Sequence, residues 1–223
     1  MLATQQGGHG HWLAQGYCSE TLSQAVQVGR LFIDAGSSVT SNADRTIRSA
    51  RLLGASRFDG VNLPPGTIWL RANNEYDFPS PVNIGPVQLN GQATLLYSEA
   101  DETRPGTYVA ARRPGQEGTV SFEGTEVIEV VFTEPDYAVD RIYLDKPGRI
   151  RGLLVADFFS ADGHVFAFSS GGRQVVDGVR LGGCEAVTMS NGKVTSHFLY
   201  PPFRRQIGNV RCVAAPPAKR VRR

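Results

Sequence analysis

The chain has 223 residues, 23 basic against 21 acidic side chains, and a formal net charge of +2. Its 25 glycines and 13 prolines exclude a helical bundle or coiled coil, because both residues break helix interiors. Charged residues at 20% exclude a wholly disordered chain, and no apolar run approaches the ~18–20 residues of a membrane-spanning helix.

Residues 1–18 are Gly-rich and polar, with His9, His11, Trp12 and Tyr17 interspersed. They read as an arm that orders only against something else. Thr21 followed by Gln24 has capping-box spacing. Leu22, Ala25, Val26, Gly29 and Ile33 then recur near the helical period, which predicts a helix that Gly36 closes. A second short helix is predicted over 43–53, with Asn42 as cap, Ile47 and Ala50 on one face, and Gly54 as stop. Residues 1–54 are thus expected to be an N-terminal arm and helical segment.

From residue 55 the pattern turns to strands, and 55–213 reads as a β-rich domain. Val61–Gly66 is a turn and Thr67–Arg71 a strand start. Pro79, Pro81 and Pro86 leave only an edge strand or loop through 79–86. Val87–Leu89 and Gln92–Tyr97 flank Asn90-Gly91, the pair a tight hairpin turn prefers. Residues 98–118 read as the longest loop, with Thr107–Ala110 inside it able to pair as a short strand. Beyond it, short strands and turn pairs (Asp162-Gly163, Gly171-Gly172, Gly182-Gly183, Asn191-Gly192) alternate at roughly 8–12-residue spacing. The expected fold is mainly β (α+β): an antiparallel β-sandwich or prism-like core with a short helical N-terminal segment. Residues 214–223 (AAPPAKRVRR) read as a flexible basic tail.

No catalytic, cofactor or metal set emerges. His9 and His11 sit in a Gly-rich arm with only Cys18 near them in sequence, short of the three or four protein ligands zinc takes. Cys18, Cys184 and Cys212 match neither a C-x-x-C spacing nor a papain-type signature, and a Cys184–Cys212 disulfide and free thiols are both open. No G-x-S-x-G elbow and no phosphate loop occur. Asp157, Asp162 and Asp177 near strand ends do not by spacing alone define a carboxylate pair.

Two features point outward. Lys219, Arg220, Arg222 and Arg223 place four cations in five residues, suited to an acidic patch on a partner or to nucleic-acid phosphates. Trp69, Tyr76, Tyr200 and Phe203 are aromatics that, if exposed, would stack on a sugar ring. Residues 117–213 also faintly resemble the later part of the jacalin-like β-prism lectins. The likeness rests on Glu126–Val130, Ile150–Phe159, Asp162-Gly163, Gly171-Gly172, Asn191–Val194 and Ile207–Val210. That family's sugar-binding loop carries a Gly and an Asp, whereas 198–206 here (FLYPPFRRQ) has no acid.

Lys146, Lys193 and Lys219 are the only lysines, so 20 of the 23 basic residues are arginine, the cation enriched at interfaces. Met1 to Gln15 lacks the charged and apolar regions of a secretory signal. The expectation is therefore a non-enzymatic structural or assembly protein without cofactor, such as a virus or phage particle component, which is made in the cytoplasm and either works there or leaves by a route such as packing into a virion. Its expected partners are other protein subunits in a homo- or hetero-oligomer. A carbohydrate-binding, lectin-like β module is the alternative, and a β-rich hydrolase or lyase the third.

Overall fold

The computed structural model describes residues 11–13, 17–100, 105–162, 164–169, 174–182, 185–190, 193–199, 206–207 and 210–211. Among them the chain is mainly β, built from antiparallel sheets, and contains no α-helix. Its internal contacts divide it after Val120 into two units, 1–120 and 121–223.

The first unit contains β1 (His11–Leu13), β2 (Tyr17–Thr21), β3 (Val26–Val28), β4 (Leu31–Ile33), β5 (Ser38–Ser41), β6 (Ile47–Arg51), β7 (Arg57–Phe58), β8 (Val61–Asn62), β9 (Ile68–Leu70), β10 (Glu75–Ile84), β11 (Val87–Ser98) and β12 (Thr107–Ala111). One antiparallel sheet runs β1–β2–β5–β6–β9–β10–β11–β12. A smaller one runs β3–β4–β7–β8.

Successive strand residues face opposite sides, and the register turns that rule into transverse rows. Val39, Ala50, Trp69, Tyr76 and Ala93 are neighbours across β5, β6, β9, β10 and β11, and all five are buried. The ring of Phe58, from the small sheet, meets Tyr76 and Tyr108 edge-on at 6.0 and 6.3 Å between centroids. Each large side chain fully buried here contributes roughly 1.5–3 kcal/mol. The residues on either side of each member of this row point the other way and form the face described below.

Both predicted helices are corrected. Residues 26–33 form the β3–β4 hairpin, with Val28 opposite Leu31 and Gly29 at φ +56° in the turn, a conformation that suits glycine. The apolar spacing that mimicked a helix comes from two adjacent strands of three residues each. Residues 47–51 are β6, and Asn42 to Thr46 is a tight loop rather than a helix cap. There Asp44 accepts bonds from the Thr46 amide and hydroxyl at 2.9 and 2.6 Å, and these hold its carboxyl below the usual range. β6 also pairs with β9, so the 1–54 stretch shares a sheet with residues from the 55–213 stretch.

The expected hairpin turn at Asn90-Gly91 is also corrected. β11 continues through both residues, and the reversal lies at Gly85-Pro86, between Ile84 and Val87. Gly91 instead admits a close backbone approach, since a Cβ there would lie 2.6 Å from the Glu117 carbonyl oxygen. Pro79 and Pro81 fall within a register shift of β10 between Phe78 and Val82. Over that stretch β10 lies beyond its 75–77 pairing with β9.

β13 (Gly118–Phe122) runs across the division. The second unit contains β14 (Thr125–Val127), β15 (Glu129–Thr133), β16 (Ala138–Tyr143), β17 (Gly148–Ile150), β18 (Leu153–Asp162), β19 (His164–Ser169), β20 (Gln174–Val176), β21 (Val179–Leu181), β22 (Glu185–Ser190), β23 (Lys193–Leu199), β24 (Gln206–Ile207) and β25 (Val210–Arg211). Its antiparallel run is β15–β16–β18–β19–β22–β23, with β17 against β18 and hairpins β20–β21 and β24–β25. Val130, Phe132, Ile142, Ile150, Leu153 and Phe159 are among its fully buried side chains.

Candidate functional site

The outward face of the larger sheet in the first unit carries two transverse rows of neighbours. One is Ser38, Arg51, Ile68, Asp77 and Gln92; the other is Thr40, Ser49, Leu70, Glu75 and Thr94. Ile68 and Leu70 are 38% and 43% exposed, and Leu53, two residues beyond Arg51, is 43% exposed. A β-strand of the form apolar–Trp–apolar has to present two aliphatic side chains on the face opposite its tryptophan. Burying Trp69 therefore leaves Ile68 and Leu70 outside.

Leu70 stands between two recesses. One, of about 400 Å³, has Ile68, Leu70, Glu75, Asp77 and Gln92 on its floor and Pro114 to Gln116 as its wall. Gln116 fixes that wall: its side-chain amide donates to Glu75 Oε1 and Thr94 Oγ1, both at 3.1 Å, and its Oε1 accepts from the Arg113 amide at 2.7 Å. The other recess, of about 440 Å³, is lined by Thr40, Arg48, Ser49, Leu70, Ala72 and Asn73. Apolar side chains at its centre, carboxylates on one flank and an arginine on the other give this face the makings of a contact surface.

A second cluster lies by the turns of the small sheet. Arg30 pairs with Asp59 at 2.8 Å, donates to the Tyr97 hydroxyl, and lies 4.0 Å above the Tyr97 ring centre. The Tyr108 hydroxyl donates to the other Asp59 oxygen. Arg30 and Tyr97 line a recess of about 350 Å³ together with Trp69, Arg71, Asn74 and Glu99. The Arg30 guanidinium is already bonded on both outer nitrogens, so the cluster ties the β3–β4 and β7–β8 turns to β11 and β12. Trp69 Nε1 is buried without a hydrogen-bond partner among the described residues.

Trp69 and Tyr76, candidates for stacking on a sugar only if exposed and otherwise core residues, are each only 3% exposed. They are packed in the core row, Tyr76 stacked on Phe78 at 5.5 Å. Burial pushes the Tyr76 phenol well above its usual range. Tyr200, Phe203, Lys219, Arg220, Arg222 and Arg223 lie outside the described residues, as do Cys184, Cys212 and His9. Cys18 is a free, half-buried thiol. Among the described residues no three His, Cys, Asp or Glu side chains gather as a metal would need, and no helix is long and apolar enough to cross a membrane.

The structure also brings together a pair the sequence did not reveal. His197 Nδ1 lies 2.8 Å from Glu185 Oε2, and Glu185 is 4% exposed. The two stand diagonally on adjacent strands, since Val187 is the residue opposite His197; only register shows that. Neither residue borders the three recesses above. The exposed pair Ile68 and Leu70 was also missed, although alternation in Thr67–Arg71 carried the signal. No family model, curated protein or solved structure matches the chain.

Proposed function

We propose that this chain is a non-enzymatic structural protein that works by assembling with other protein subunits, as a component of a virus or phage particle. The observation that carries this reading is the Ile68–Leu70 pair, held outward in a polar rim. Contiguous exposed aliphatics framed by polar groups mark protein–protein contact surfaces. The preference for arginine over lysine supports it, because arginine is the cation interfaces favour. Lys219, Arg220, Arg222 and Arg223 are proposed to add a charged arm that pairs with an acidic patch or with nucleic acid.

The test is the native mass of the purified full chain across a concentration series. An oligomer that grows with concentration is expected. A monomer at every concentration, with no particle proteins co-assembling, overturns the proposal.

A further inference from the structure

We infer that the outward face of β6, β9 and β10 docks a second copy of this chain about a two-fold axis running along β9. The inference rests on the assembly reading above and names the partner of that surface.

Its basis is the order of chemistry across the strands. In one row, Arg51 on β6 and Asp77 on β10 flank Ile68 on β9; in the next, Ser49 and Glu75 flank Leu70. A two-fold along β9 sets each copy's β6 over the other's β10. Arg51 then faces Asp77 twice, Ser49 can donate to Glu75 twice, and Ile68 and Leu70 meet their own counterparts on the axis. This is the self-complementarity an isologous contact requires. Facing sheets pack about 10 Å apart, a gap that an arginine opposite an aspartate spans. Asp77 makes no side-chain hydrogen bond or ion pair among the described residues, so its charge is free for a partner. A two-fold set across the strands instead brings β6 onto β6, where Arg51 meets no carboxylate.

Shape follows the same symmetry. The wall at Pro114 to Gln116 rises on the β10–β11 side of Leu70, and the recess lined by Thr40, Ser49 and Ala72 lies on the β5–β6 side. The axis along β9 carries one copy's wall over the other copy's recess. One step further out, Ser38 comes to face Gln92, a hydroxyl against an amide.

Cysteine cross-linking tests the axis directly. Ile68→Cys places one thiol beside its symmetry mate, whereas Val175→Cys, 66% exposed in the other unit, serves as the control. Under mild oxidation of the full chain, Ile68→Cys should form a disulfide-linked dimer at least about tenfold faster than Val175→Cys or wild type. Arg51→Asp and Asp77→Arg should each lower the dimer fraction, and the double exchange should restore it. Equal cross-linking rates, or no recovery in the double exchange, overturn the inference. If native mass still shows an oligomer in that case, the assembly reading stands and the face is wrong. If wild type is monomeric throughout, both fall.

Discussion

Tyr76 shows how one residue couples burial to solution behaviour. Its phenol is buried between Phe58 and Phe78 and holds its proton more tightly than an exposed tyrosine, whose pKa is about 10. A group whose pKa is raised on folding stabilises fully below its unfolded pKa, and that contribution is lost as pH rises beyond it. Tyr76→Phe should therefore match wild type to within about 1 kcal/mol at pH 7. Urea denaturation at about pH 10 and above should show wild type losing stability faster than the variant. Parallel losses would mean that Tyr76 is not a source of alkaline sensitivity. Asp59 makes a sharper case. Asp59→Ala removes the acceptor of both Arg30 and the fully buried Tyr108 hydroxyl, and should cost about 2–3 kcal/mol. Arg30→Ala deletes a partly exposed ion-pair partner and should cost about 1 kcal/mol or less. Equal midpoints in urea would contradict this ranking of the cluster.

At the scale of elements, two glycines separate close approach from turn strain. A Cβ at Gly118 would overlap the backbone of Gln92, whereas at Gly60, with φ +80°, nothing lies within 4 Å. Gly118→Ala should cost at least about 2–3 kcal/mol through backbone displacement, and Gly60→Ala only about 1 kcal/mol of left-handed strain. Thermal melts compare the two; a smaller loss at Gly118 would contradict the close packing of β11 against residues 117–118. The same neighbourhood explains why part of the fold was illegible. Asn90-Gly91 has a turn's chemistry, but here glycine serves an approach by residues distant in sequence. The apparent helix over 21–36 failed for another reason. Strands of three residues, such as Val26–Val28 and Leu31–Ile33, are too short to display their period. Asp162-Gly163 was legible as punctuation, since β18 ends at Asp162 and β19 begins at His164. Nothing in the sequence near Glu185 announced His197, because their meeting depends on the register of β22 and β23.

For the whole molecule, the proposed assembly uses two features, the Ile68–Leu70 face of the first unit and the basic segment 219–223. Deleting 219–223, which reads from sequence as a charged tail beyond Pro216-Pro217, should leave the melting midpoint within about 2 °C of wild type. It should also weaken partner binding, and added salt should reproduce the loss by screening over about 8 Å. A large drop in melting temperature, or binding indifferent to salt, would contradict that role. Sequence reasoning found this cluster because charge density needs no fold, and missed the Ile68–Leu70 face because exposure does. Sedimentation equilibrium of the full chain beside Ile68→Asp is the most direct test of the central claim. Wild type should reversibly form a dimer or larger oligomer, and the variant should stay monomeric with an unchanged melting curve. The same mass for both proteins at every concentration would contradict it.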